Sequence, residues 1–372
     1  MTALTLSAQQ PILKNRGRLV TEAPLIVARA GEVARTWEWR EKVMDVVAAA
    51  RSAFFSLSAA RSEVEVRRAA LRLAERLLAE IRARIESGFA APMDRLPADA
   101  AVASRREELI RAESQEQNAL DNLKTALGVR STGEWEERLI PDPLPGDPDP
   151  PGYLDTFDEA LRLRPEVYSL AARRQQAEVQ EAAARNRTLP SLDLTVSAGL
   201  SGLAGTPNPN PLFPVSSTAF AGNYQDSLDQ MFSGRYYNWF VGLKSELPWR
   251  FDREKAEWAR ARAALEEQRL LAEGLSMRIR TDVRKGRRDL ESSLERIAAS
   301  RAFAAASAKK LEAEERKLAL GASTAVEVLR FQQDLSEALL AEIRAQVDAH
   351  LAQTRLRRAV GNILDKEGIE IR

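Results

Sequence analysis

The chain has 372 residues; 29% are charged, aromatics are only 6%, and much of the 44% apolar content is alanine, which excludes compact, thick-cored globules and favours long helices packed in thin layers. Basic (55) and acidic (54) residues balance, so no basic field exists to hold nucleic acid, and the absence of cysteine excludes disulfides and thiolate metal sites. No unbroken run of 18 apolar residues occurs, which argues against a transmembrane helix, and the opening MTALTL lacks the features of a signal peptide.

The first predicted element is a strand over residues 3–13, with Leu4, Leu6, Ala8 and Ile12 alternating against Thr5, Ser7 and Gln9. After a polar connection, a long helix is expected over 37–87. Leu57, Val64, Leu71, Leu78 and Ile85 fall seven apart, with Ala53, Ala60, Ala74 and Ile81 on the companion position, a coiled-coil seam. Gly88 and Pro92 break it, leaving a tip at 88–97, and a returning helix at 98–127 stops before Gly128. Residues 130–154 carry IPDPLPGDPDPPGY, a proline-dense connector that cannot form helix or central strand.

Residues 155–186 are again expected to be helical. Two alternating strands follow, at 191–203 and 238–250, joined by an external loop at 204–237. Leu192, Leu194, Val196, Ala198 and Leu200 oppose Ser191, Asp193, Thr195, Ser197 and Ser201; Trp239, Val241, Leu243, Leu247 and Trp249 oppose Lys244, Glu246 and Arg250. Strands of about ten residues with aromatics at the ends fit a membrane-spanning hairpin with a lipid face and a wet face. Trp239 and Trp249 read as interface anchors, or as core aromatics if the strands pack on helices.

A helix over 252–320 keeps Leu290, Ile297, Ala304, Leu311 and Leu318 in one seam; at about 1.5 Å per residue it would reach roughly 100 Å. The tip at 321–323 and a returning helix over 324–360 complete the chain. Gly88 and Gly128 stand at the same interval as Gly321 and Gly361, so the chain reads as two repeats, 1–129 (incomplete) and 155–372. The fold class expected is mainly α with a small β part. Long antiparallel hairpins build a coiled-coil wall, and the strands contribute to a transmembrane barrel.

His350 is the only histidine, so no histidine-based relay or metal site can be assembled, and it reads as a polar seam residue one heptad after Ile343. Asp94 and Glu327 each stand six residues after a tip glycine and suit helix starts as solvated carboxylates. The basic run from Arg278 to Arg288 contains Asp282 and is followed by Asp289, and it reads as a solvated helix face.

ALRLRPEVYSLAARR, AAARNRTLPSLDLTVSAG, FVGLKSELPWRFDREKAEWARA and LGASTAVEVLRFQQDLSEALLAEIRAQ, with LTLSAQQPIL and LKTALG in the first half, resemble the outer-membrane efflux duct family typified by TolC. That resemblance implies a non-enzymatic homotrimer without cofactor, four strands per subunit in a twelve-stranded barrel of the cell outer membrane, and a helical barrel across the periplasm. The implied partners are a periplasmic adaptor and an inner-membrane pump. The glycine turns would form the periplasmic tip, with Gly88, Phe89, Asp94, Gly321, Ala322 and Ser323 at the adaptor contact. Glu327 would match an acid of the entrance constriction, where Arg330 departs from the acidic pattern; Ser323 replaces a basic residue that can clasp the opposite acid. Phe89 and Ala322 stand where leucine commonly follows each glycine. Three recognisable strands instead of four imply an N-terminally truncated copy that has also lost its export signal. Without insertion, the same helices would make a soluble coiled-coil scaffold.

Overall fold

A computed structural model describes residues 1–89, 91–136, 139, 144–152, 156–206, 220–247 and 250–370. In chain order these form β1 (Thr2–Pro11), α1 (Arg18–Thr21), α2 (Ala23–Glu86), α3 (Arg95–Leu127), α4 (Thr132–Glu136), α5 (Phe157–Leu163) and α6 (Pro165–Arg187). Then come β2 (Ser191–Gly202), α7 (Tyr224–Phe232), β3 (Tyr237–Glu246), α8 (Asp252–Ala319), α9 (Ala325–Val360) and α10 (Ile363–Lys366). The chain divides into two compact units, residues 1–34 with 170–271 and residues 35–169 with 272–372.

The first unit holds one antiparallel sheet in the order β1-β2-β3. Its register aligns Leu4 with Leu200, Leu6 with Ala198 and Ala8 with Val196; across β2, Leu200 meets Tyr237, Ala198 meets Trp239, Val196 meets Val241 and Leu194 meets Leu243. Because strand side chains alternate, every one of these residues shares one face. Beside the sheet, Ala23, Val179 and Ala183 form a small core with Ile26 and Val27. Gln176 Nε2 donates to Val27 O at 2.8 Å, and Trp258 Nε1 donates to Glu181 Oε1 at 2.6 Å.

The second unit is a layer of long helices. The expected α8 seam is realised, with Leu290, Ile297, Ala304, Leu311 and Leu318 all buried. On α2, Leu57, Val64 and Leu78 are buried, while Leu71 and Ile85 are half-buried. Leu57 packs against Leu120 and Leu123 of α3, and Ile297 against Ala345 and Ala349 of α9. Ile363 and Leu364 of α10 close over Met44.

Several expectations need correction. The long helix begins at Ala23 instead of residue 37, since APLIVARAGEVAR is itself amphipathic and starts with Pro24 in its first turn. One 18-residue window within α2 is also apolar enough to cross a membrane by length and composition, because it holds no more than two charged residues, although the rest of the helix is rich in them. The helix expected over 155–186 is two helices. Pro165 drives Arg164 into extended geometry (φ −71°, ψ 122°), ending α5 and starting α6. Among the described residues the connector holds a short helix, α4, ahead of its prolines, and the external loop holds α7. α3 starts at Arg95, three residues early, and β3 ends at Glu246.

Candidate functional site

Two places concentrate features that a packed core does not explain. One is the sheet of the first unit. On its apolar face Leu6 is 79% exposed, Trp239 73% and Leu243 67%, and Leu4 and Val241 are also exposed, at 56% each. Large apolar side chains left bare in a contiguous patch mark a surface that meets something other than water. The reverse face carries Thr5, Ser7, Gln9, Thr195, Ser197 and Asn238, with Phe240 as its aromatic exception. That ring lies over Gly242, where a Cβ would come within 2.5 Å of it. Strands of 10, 12 and 10 residues match the length a tilted strand needs to cross hydrocarbon. Of the expected aromatic anchors, Trp239 sits on the apolar face; Trp249 lies outside the described residues.

The outer edges of β1 and β3 have no strand partner among the described residues. At one end of the sheet α7 is pinned down. Thr2 Oγ1 donates to Ser227 O at 3.0 Å, Ser227 Oγ donates to Gly202 O at 3.0 Å, and Leu203 N donates to Gln230 Oε1 at 3.2 Å. A Cβ on Gly202 would fall 1.9 Å from Ser227 O, so only glycine allows this approach.

The other place is the pair of glycine turns in the second unit. Gly88 (φ +79°) and Gly321 (φ +74°) take the left-handed conformation that ends a helix. The same two hydrogen bonds close each turn: Phe89 N to Arg84 O and Gly88 N to Ile85 O, then Ala322 N to Lys317 O and Gly321 N to Leu318 O. Gly128 repeats both bonds at the far end of α3; Gly361, also left-handed, ends α9 with Gly361 N and Asn362 N both donating to Arg357 O. The two turns lie side by side. Leu77, Leu78 and Ile81 share one core with Ala98, Leu311, Leu318 and Val328, and Arg84 Nη1 donates to Leu318 O at 3.1 Å.

Around these turns Phe89, Met93, Leu96 and Leu320 are exposed. Asp94 caps its own turn, its Oδ2 accepting from Ala91 N at 3.0 Å. Ser323 donates its hydroxyl to Glu314, which also meets Lys317 at 3.0 Å; these two contacts hold the Glu314 carboxyl below its usual range. Thr324 Oγ1 accepts from Glu327 N as the helix cap, and Glu327 stands 3.8 Å from Arg330 one turn on. The departure noted at Arg330 therefore places a cation beside the expected entrance acid.

The sequence reading missed the densest charge cluster of the second unit. Arg358 of α9 meets Glu41 and Asp45 of α2 and Glu166 of α6, while Arg164 meets Glu166 and Asp282. No local periodicity announces it, since Arg358 lies 192 to 317 positions from its partners and Arg164 lies 118 from Asp282. His350 is buried, stacked on Phe55 with centroids 4.6 Å apart, and its Nε2 has no partner among the described residues. Within the basic run, Asp282 pairs with Arg164 and Arg287 reaches Glu291 at 3.7 Å. Among the described residues no group of three or more metal-ligating side chains assembles.

Comparison with known proteins matches residues 2–129 and 156–362 to the family described as outer membrane efflux protein. A search of curated proteins finds no match. Among solved structures, a membrane protein from Pseudomonas aeruginosa superposes with TM-score 0.72 at 20% identity, covering 97% of this chain and 84% of that one. The outer membrane protein VceC of Vibrio cholerae gives 0.72 at 16% identity over 97% and 86%. The MtrE outer membrane channel of Neisseria gonorrhoeae, in its open state, gives 0.70 at 18% identity over 98% and 80%.

Proposed function

The chain belongs to the outer membrane efflux protein family, and from that membership we propose that it is one subunit of a homotrimeric, passive export duct. The duct crosses the outer membrane and continues through the periplasm to a periplasmic adaptor and an inner-membrane pump. The observation that carries the reading is the sheet: exposed apolar rows such as Leu6–Ala198–Trp239 on one side, Thr and Ser on the other. In hydrocarbon every backbone group needs a partner, so a sheet whose outer edges are bare among the described residues calls for neighbouring copies to close it into a barrel.

The exposed apolar side chains Phe89, Met93, Leu96 and Leu320 suit the glycine turns to an adaptor contact, together with Gly88, Asp94, Gly321, Ala322 and Ser323. Glu327 and Arg330 line the entrance in this reading, as an ion pair and not as an acidic ring. The family consists of channels, not enzymes, and transport here is gated diffusion with energy supplied by the pump. The shared caps at Gly88, Gly128, Gly321 and Gly361 support two repeats, 1–129 and 155–372.

Membrane fractionation tests the reading. Detergent-dependent, heat-modifiable trimers that conduct ions across planar bilayers are expected; a soluble, elongated oligomer without conductance would leave a coiled-coil scaffold in its place.

A further inference from the structure

From the seat of α7 we propose a second contact with the membrane: the loop helix is an in-plane anchor that lies in the headgroup layer of the bilayer, on the lipid side of the sheet's rim. This rests on the reading that the apolar sheet face meets hydrocarbon.

The side on which α7 packs follows from strand parity. Gly202 is in phase with Leu194, Val196, Ala198 and Leu200, and Thr2 with Leu4 and Leu6, so the Cβ direction at both points to the apolar face. Ser227 occupies the Cβ position of Gly202 and is hydrogen-bonded to Thr2. The helix therefore sits on the outward face at the rim, and not over the polar face.

The sequence of α7, YQDSLDQMF, splits around its axis in the same sense. Ser227 and Met231, one turn apart, are buried against the strands. Tyr224, Leu228 and Phe232 follow at four-residue spacing on the adjoining arc, and Tyr224 (71%) and Phe232 (69%) are open. Asp226 and Asp229 occupy the opposite arc. A short helix with an apolar arc, a charged arc and low overall hydrophobicity can lie at the boundary between headgroups and acyl chains; its carboxylates, in place of the basic residues common on such helices, keep that arc in water. On the same face and toward the same end of the strands, Tyr237 and Trp239 are exposed aromatics suited to that depth. One bilayer interface thus accounts for both the sheet face and the helix.

Because the chain has no cysteine, single reporters can be placed without background. Phe232→Cys, Asp229→Cys, Val241→Cys and Ser197→Cys, each carrying a bimane fluorophore, are reconstituted into phosphatidylcholine–phosphatidylglycerol vesicles. Quenching is read from headgroup-nitroxide lipid, mid-chain nitroxide lipid and aqueous iodide. The proposal expects the residue 232 label to be quenched several-fold more by headgroup nitroxide than the residue 229 label, with the residue 241 label answering to mid-chain nitroxide and the residue 197 label to iodide. If the 232 label answers only to iodide while the 241 label stays in lipid, α7 stands in water; the anchor is then wrong and the sheet reading survives. A 232 label shielded from all three quenchers means that protein, such as a second copy, covers the arc, and the anchor is equally wrong. A 241 label quenched by iodide and not by lipid removes both readings together.

Discussion

Arg358 on α9 donates through Nε to Asp45 Oδ1 on α2 at 2.7 Å, across 313 positions of chain, and its terminal nitrogen reaches Glu166 Oε1 at 3.2 Å. Burial works to raise the Glu166 carboxyl, but the Arg164 and Arg358 guanidiniums outweigh it and hold the group below its usual range. Arg358→Met takes the guanidinium from Glu41 and Asp45 and leaves Glu166 to share Arg164 with Asp282. Breaking such a mostly buried pair costs about 3 kcal/mol, so a lower thermal midpoint by circular dichroism is expected. An unchanged midpoint would show that the cluster contributes no net stability.

Acidification acts on the same unit through His350. Burial lowers its pKa, hydrogen bonding to the Pro145 backbone opposes that, and the nearby Arg51 lowers it further. The unfolded chain takes up the proton near 6.5, before the folded one does. Below that pH the unfolded state binds more protons, so stability is full above about 6.5 and declines as pH falls toward the folded value. The thermal midpoint of the wild type should slope downward through this window, and His350→Gln should flatten the slope.

Glycine-to-alanine changes should rank by their surroundings. At Gly88 and Gly321 an added Cβ meets nothing, so only left-handed strain remains, about 1 kcal/mol each. At Gly361 the Cβ would also come within 2.9 Å of the Leu163 carbonyl carbon. Gly361→Ala should therefore lose the most in thermal unfolding; equal losses at all three positions would contradict the packing at the α5–α9 contact.

The two faces of the sheet should respond oppositely to charge. Val241→Lys puts an ammonium on the apolar face at mid-strand, an expected cost of about 2–4 kcal/mol in the bilayer, and should abolish heat-modifiable insertion. Ser197→Lys, on the reverse face, should insert as the wild type does.

At the turns, Glu327→Lys leaves Arg330 without its carboxylate and adds a second cation. Single-channel recordings should show a shift from cation toward anion preference, and Arg330→Glu should shift it the other way. Unaltered selectivity in both variants would remove Glu327 from the entrance.

What the sequence disclosed follows from the range of each signal. Strand alternation and the seven-residue seam are local, and they placed the common face of Leu6, Ala198 and Trp239 and the buried line from Leu290 to Leu318. Pro165 was equally local, and the extended geometry it imposes on Arg164 was readable but outweighed by the helical pattern on either side. Asn223 and Asp226, which bracket the start of α7 in a capping box, are a helix signal inside a stretch whose glycine, proline and asparagine content reads as loop. The Arg358 cluster could not be read, because its pairings arise only when α2, α6 and α9 are brought together.

Among the described residues, the sheet order β1-β2-β3 leaves the middle strand satisfied and the two flanking strands each half-finished. A solitary copy moving into acyl chains would carry two ladders of naked amides with it, a penalty of several kcal/mol for each group left unmatched. On the proposed duct reading, penetration of the bilayer and union of the subunits would be a single concerted event, with no copy going in ahead of its neighbours.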